Sequence, residues 1–173
     1  MTMMCPKTPE TYFNENFKDK SKKEQEIEIK KLEKEIEELE KKCDLHMKPS
    51  PILSLNITKS YLDYAKKVLS NNIEVNEVKE LTLDDVFTIE NKKDPFWESE
   101  AKKVVEELVH SLYLMSIYNG VPVFFSEIIL QLKNKDISEL EEFFRKRHIK
   151  LPEVQTTRES ILQIIIDKVS KVN

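Results

Sequence analysis

The sequence predicts a mostly α-helical protein: an N-terminal coiled-coil helix followed by a compact helical domain with a three-helix unit inside it. Three observations predict this. Gly120 is the one glycine in 173 residues, whereas average usage is roughly 7%. Phosphate-cradling loops, dinucleotide turns and nucleophile elbows depend on backbone positions that glycine fills, so those site classes are excluded. Charged residues make up 35% of the chain, and the apolar residues between them recur with helical spacing. Helix start and stop signals punctuate the second half.

Residues 1–20 are polar and aperiodic and are expected to be disordered. Residues 21–46 form the coiled-coil helix. Ile29, Ile36 and Cys43 recur every seven residues, as do Leu32 and Leu39, and the two series are offset by three. They are the a and d positions of a heptad. Pro49 and Pro51 are expected to end that helix and open a linker over 47–57. The helical domain then runs over 58–173. Thr58 is placed to cap a helix from Lys59 to Ser70. The segment 71–93 is mixed, with Thr82 as cap of a short turn at 83–87.

Helix start and stop signals continue to the C-terminal helix. Asp94-Pro95 starts a long helix that reaches Tyr118, and Asn119-Gly120 stops it with glycine in the left-handed position. A second helix covers Ser126–Leu132. Asp136 and Glu139 make a capping box for a third, to His148, and Thr156 and Glu159 make one for a final helix over about 157–170. The expected core includes Trp97, Val104, Val105, Leu108, Leu112, Ile117, Phe124, Ile128, Leu132, Leu140, Phe143, Ile161, Leu162 and Ile165.

Little in the chain points to catalysis. The histidines His46, His110 and His148 are far apart, and no His, Cys, Asp or Glu cluster has metal-ligand spacing. No serine lies in an elbow motif. The expectation is a protein that is not an enzyme, with no cofactor and no metal. Cys5 and Cys43 show no disulfide or metal pattern, which suggests a reducing compartment, nuclear or otherwise cytoplasmic. No apolar run has the length of a bilayer span, so no membrane contact is expected. The net charge is −4, unlike a self-sufficient nucleic-acid binder.

The heptad carries a partner prediction. Its e positions are Glu26, Glu33 and Glu40, and its g positions are Glu28, Glu35 and Lys42. A homodimer in either orientation sets acid against acid, which disfavours self-pairing. Ile29, Leu32, Ile36, Leu39 and Cys43 are therefore expected to bind a different partner with basic flanks, or to dock on this chain's own domain.

The second signal is Phe143-Phe144-Arg145-Lys146-Arg147-His148-Ile149-Lys150, two aromatics ahead of a basic run at a helix end. Arg145, Lys146, Arg147, His148 and Lys150 are candidates for contacts to DNA phosphates. The competing reading is that cations near a helix C-terminus complement its dipole.

The region from about Glu100 to Lys150 resembles a degenerate homeobox, a helix-turn-helix unit at about 94–150. Leu140-Glu141-Glu142-Phe143-Phe144-Arg145-Lys146-Arg147-His148 is similar to that signature, with Phe143-Phe144 at the aromatic pair and Arg147-His148 at the basic pair. Lys146 stands where the family keeps the asparagine that reads adenine, and Glu98 and Glu100 replace the basic arm. With the coiled-coil extension, the chain also resembles the small homeobox-like accessory subunits of the ciliate DNA adenine methyltransferase complex. The resemblance implies a non-catalytic accessory subunit of a nuclear, DNA-acting complex, with a heteromeric helix contact and auxiliary contacts to double-stranded DNA. The alternative is a coiled-coil scaffold or adaptor with no nucleic-acid contact.

Overall fold

The computed structural model describes residues 5–45, 49–75 and 79–172. Among them are eight helices and no strand: α1 (Pro9–Asn16), α2 (Lys22–Leu45), α3 (Pro49–Asn71), α4 (Leu83–Val86), α5 (Phe96–Asn119), α6 (Phe125–Leu132), α7 (Ile137–Lys146) and α8 (Gln155–Ser170). The mostly α fold class is as expected. The chain divides into two units. One is built from 6–80 and 114–124, the other from 81–113 and 125–172. The single domain expected over 58–173 is therefore divided, because α3 packs on α2 rather than on the C-terminal helices.

In the first unit, α1 replaces the disorder expected before residue 21. Thr8 caps it, its hydroxyl accepting from Thr11 N at 3.3 Å, with Pro9 in the first turn. Phe13 and Phe17 lie one turn apart, stacked at 5.2 Å, and both are buried. Two aromatics at i,i+4 anchor an otherwise polar helix. Ser21 then opens α2 through a reciprocal box. Its N–H donates to Glu24 Oε2 at 2.8 Å, and its hydroxyl accepts from Glu24 N at 3.4 Å.

The linker expected over 47–57 is also corrected. Positions 46–48 lie outside the described residues, but 49–57 are the first turns of α3. Pro49 and Pro51 sit where a helix has no intrahelical N–H bond to lose, so they start it. Thr58 is inside α3 and caps nothing. Its hydroxyl donates back to Ser54 O at 3.0 Å, and the residue is buried.

Helices α2 and α3 run antiparallel, as two ion pairs show: Glu33 meets Lys66 and Glu40 meets Lys59, each at 2.8 Å. Leu32 shares one buried cluster with Phe13, Phe17, Leu62, Ala65 and Val68, with Ile29 and Ile36 packed against it. Tyr12 of α1 stacks on Tyr61 of α3 at 4.2 Å and 7°. The Tyr61 hydroxyl donates to Lys7 O at 2.9 Å. Burial pushes both phenols up to about 12, helped by nearby carboxylates, Glu28 and Glu35 at Tyr12 and Glu80 at Tyr61.

In the second unit, the Asp136 capping box forms as expected with Glu139, and Thr82 caps its turn as expected, with Asp85 adding a reciprocal bond that makes it a box. The one expected at Thr156 does not. Helix α8 begins at Gln155 behind Val154, with no side-chain cap, so Thr156 already lies in its first turn. Pro95 O accepts the first helical bond of α5, from Ser99 N at 2.9 Å. Ala101, Val104, Val105, Leu108 and Leu112 form the buried stripe of that helix. Both α6 and α7 pack on α8.

One buried cation ties this unit together. Lys168 of α8 donates to Thr88 O at 2.6 Å and to Glu90 Oε1 at 3.0 Å, and it pairs with Glu98 Oε1 at 3.0 Å. Glu98 in turn accepts from the N–H groups of Glu90 and Asn91 at 2.7 and 3.0 Å. The ammonium pKa is raised, against the effect of its burial, by the two carboxylates.

Helix ends reuse one device. Gly120 closes α5 at φ 66°, its N–H donating to Ser116 O at 2.8 Å. Asn72, Asn134 and His148 adopt the same left-handed conformation, at φ 47°, 64° and 56°. A Cβ at Gly120 would lie 2.5 Å from Ile52 Cγ2. Gly120→Ala is therefore expected to lower stability by more than about 1 kcal/mol. His148→Gly is expected to raise it by about 0.5 kcal/mol, since it relieves the left-handed strain at some entropic cost. Urea midpoints at constant m-value check both.

A second outcome concerns alkali. The phenols of Tyr12 and Tyr61 ionise near 10 when unfolded and at about 12 when folded. Their contribution to stability is fully present below pH 10 and is lost as pH rises toward 12. Absorbance titration is expected to show a late phenolate component, which Tyr12→Phe and Tyr61→Phe each diminish.

Candidate functional site

Two groups of side chains were marked for contact by the sequence: the basic run after Phe144, and the heptad seam of α2. The basic run begins inside α7 and leaves it. Phe144 and Leu140, four residues apart, are buried, and Phe143 is half-exposed. The expected core position of Phe143 is thus exchanged with its neighbour. Its ring serves as a platform instead. The Arg147 guanidinium lies 3.6 Å from the ring centroid and Lys135 Nζ 5.4 Å from it. Arg147 also donates to Phe143 O at 3.2 Å.

The third helix was expected to reach His148 but stops at Lys146. The reason is a Schellman motif. Ile149 N donates to Phe144 O at 3.1 Å and His148 N to Arg145 O at 3.0 Å, with His148 left-handed between them. Buried Ile149 and buried Phe144 supply the apolar pair that accompanies this motif. Arg147 and His148 therefore lie past the helix end, not along a helical face.

The five predicted contact residues differ in how free they are. Arg145, Lys146, His148 and Lys150 are exposed, whereas Arg147 is partly covered. Burial lowers the Arg147 pKa. Lys146 pairs with Glu142 at 2.9 Å, which holds the Glu142 carboxyl below its usual range. Arg145 and His148 line a shallow hollow of about 390 Å³ with Arg158, Glu141 and Glu153. Arg158 is occupied there. It donates to Pro152 O and Glu153 O at 3.0 and 3.1 Å, and its Nε lies 3.0 Å from Glu141 Oε1. An anion in this hollow meets two carboxylates as well as the cations.

The seam residues have found a partner within the chain. Leu32 is fully buried, and Ile29, Ile36, Leu39 and Cys43 are half-buried. The basic flank expected of a partner is supplied by Lys59 and Lys66 of α3. At a g position, Glu28 is buried and lies 3.5 Å from Lys20 and 3.2 Å from Lys31, which lower its pKa against the effect of burial. Docking on the chain's own helix is the arrangement seen, so Leu32 has no surface left for a second protein.

A groove that sequence reasoning missed opens beside the seam. It encloses about 710 Å³, with Phe13, Ile29, Val68, Leu69, Ile73 and Val75 among its apolar lining. Its charged lining is Lys18, Lys22, Lys30, Glu26 and Glu33. Glu33 is taken by Lys66, so three lysines face one remaining carboxylate. Ile73 is 45% exposed. The signal that could have located it is the Phe13/Phe17 pair, which brings α1 against the open end of the α2–α3 pair.

Among the described residues no group of three His, Cys, Asp or Glu side chains is placed to hold a metal ion, and no helix is long and apolar enough to cross a membrane. Comparison with protein-family models, with curated proteins and with solved structures finds no match to this chain.

Arg147 and Arg145 are separable. Arg147→Ala is expected to lower stability by about 1 kcal/mol, through loss of the ring contact and the carbonyl bond. Arg145→Ala, two residues earlier and exposed, is expected to leave it within about 0.5 kcal/mol. Thermal denaturation of the two variants checks this.

Proposed function

We propose that this chain is a non-catalytic subunit of a multiprotein assembly, and that it receives an amphipathic, acid-flanked helix of a partner protein in the groove beside α2. The observation that carries this reading is the groove's composition. Its apolar lining comes from α1, α2, α3 and the segment that follows α3, and its lysines outnumber the carboxylate left to face them. Such a surface favours a helix with an apolar stripe and Asp or Glu along its edges. The heptad helix contributes to this reading through Ile29 and not through Leu32, and the partner proposed is acid-flanked, where the heptad charges alone point to basic flanks.

A second contact is proposed for the end of α7. Arg145, Lys146, His148 and Lys150 are exposed on one short segment, and the homeobox-like pattern of Leu140–His148 suggests phosphates as their target. In that reading the assembly acts on DNA, in the nucleus, and this subunit adds auxiliary backbone contacts without base readout. The acidic net charge of −4 makes such contacts effective only within the assembly.

A photo-crosslinking residue at Ile73, with a matched one at exposed Leu130 of α6 as control, tests the groove in cells. The expected outcome is a crosslink at position 73, mapped to an acid-flanked amphipathic helix and reduced by joint Lys18→Glu, Lys22→Glu and Lys30→Glu substitution. Equal crosslinking at both positions would sink the groove reading. For DNA, a duplex probe titrated into the purified assembly should lose affinity with Arg145→Glu and Lys150→Glu, and with rising salt. Unchanged binding leaves the scaffold reading alone.

A further inference from the structure

The groove beside α2 and the hollow at the end of α7 each set cations among carboxylates. A third hollow, within the second unit, does not. It encloses about 790 Å³ between the start of α5, the start of α7 and one face of α8. Its apolar lining is Trp97, Ile137 and Ile164, all half-buried, and its charged lining is Asp94, Glu98 and Glu159. No Lys, Arg or His lines it. Lys92 and Lys93 are exposed just before Asp94 and lie outside the lining.

The three carboxylates differ in how free they are. Glu98 is taken by Lys168, at 3.0 Å, and by the N–H groups of Glu90 and Asn91. Glu159 accepts from the neutral amide of Gln155 at 2.8 Å, which leaves its charge unbalanced. Asp94 is exposed, and among the described residues it has no cation within ion-pair distance. Two uncompensated negative charges therefore share this hollow with an indole. Trp97 is the one tryptophan of the chain. Phe96 meets it at 81°, with ring centroids 5.1 Å apart, an edge contact that helps to hold the indole in place.

We propose that this hollow is a docking site for a basic segment of a partner protein, taking a Lys or Arg side chain against Trp97 with an apolar neighbour beside it. The charge selects the occupant. A cation is attracted by the two free carboxylates and by the indole face, the best of the aromatic rings for this contact. Ile137 and Ile164 offer apolar surface to the aliphatic stem of that side chain. An acidic segment, or a nucleic-acid phosphate, meets repulsion from the same two carboxylates. The occupant is thus opposite in charge to the acid-flanked helix proposed for the groove beside α2, and one partner segment does not suit both. The inference stands on the second unit alone. It depends neither on that groove nor on the basic helix end.

With one tryptophan in the chain, intrinsic fluorescence reports this site directly. The probe is an amphipathic Lys/Leu peptide free of aromatic residues, titrated into the full chain. Gln/Leu and Glu/Leu peptides of the same pattern are the controls. The expected result is a saturable shift of Trp97 emission with the Lys/Leu peptide alone, weakened by added salt. Joint Asp94→Asn and Glu159→Gln substitution, which keeps side-chain size, should lower the affinity by about fivefold or more. Joint Lys18→Glu, Lys22→Glu and Lys30→Glu substitution, in the other groove, should leave the response in place, so the two readings fail separately. No shift with the Lys/Leu peptide overturns the inference. So does an equal shift with either control peptide, or a shift that the Asp94 and Glu159 substitutions leave unchanged.

Discussion

A helix has to end, and its last carbonyls need donors that a left-handed residue supplies at least strain when it is glycine. With one glycine in the chain, that need shapes much else. Gly120 is spent where no side chain fits, against Ile52. Elsewhere Asn72, Asn134 and His148 accept the left-handed conformation. Asparagine and histidine are the residues that tolerate it best after glycine. At His148 the consequence reaches the candidate site. The turn that ends α7 there removes Arg147 from any helical face and folds it onto Phe143, so a run that reads as one basic patch divides into an anchored cation and several free ones.

The units are held by different means. In the first, apolar side chains from three helices converge on Leu32 and two surface ion pairs line the seam. Exposed pairs of this kind contribute little energy; their value lies in orientation. The second unit carries a buried ammonium whose partners come from a loop and from α5. Removing Lys168 would leave Glu98 with the backbone donors of Glu90 and Asn91. The two carboxylates and the cation therefore act as one element.

The parts legible from sequence are those set by local chemistry. The Thr82 cap, the box at Asp136 and the Asn119-Gly120 stop each involve residues within a few positions of one another, and all three form. The misread parts depend on distant partners. Helix α1 is held by Phe13 and Phe17 against α2 and α3, which a polar local composition conceals. Pro49 and Pro51 can end one helix or start another, and only the packing of α3 decides. Spacing puts Phe143 on the inward stripe with Ile137 and Leu140, yet it is Phe144 that is buried with Leu140. The Arg147 guanidinium, four residues on, draws Phe143 out. The groove has no sequence motif, because its lining is assembled from three helices and the segments that flank them.

The spacing of Lys59 and Lys66 has one more consequence. They stand seven apart, as do Glu26, Glu33 and Glu40. If α3 slid along α2 by one heptad, Lys66 would come opposite Glu26 and Lys59 opposite Glu33, and both ion pairs would survive. The charges thus fix orientation but are blind to translation by a heptad. What distinguishes one register from the next is α1, whose Tyr12 stacks on Tyr61 while its Phe13 and Phe17 close over Leu32. The short first helix is the stop on a sliding scale, and the hairpin's alignment is written in aromatic rings and not in its more conspicuous salt bridges.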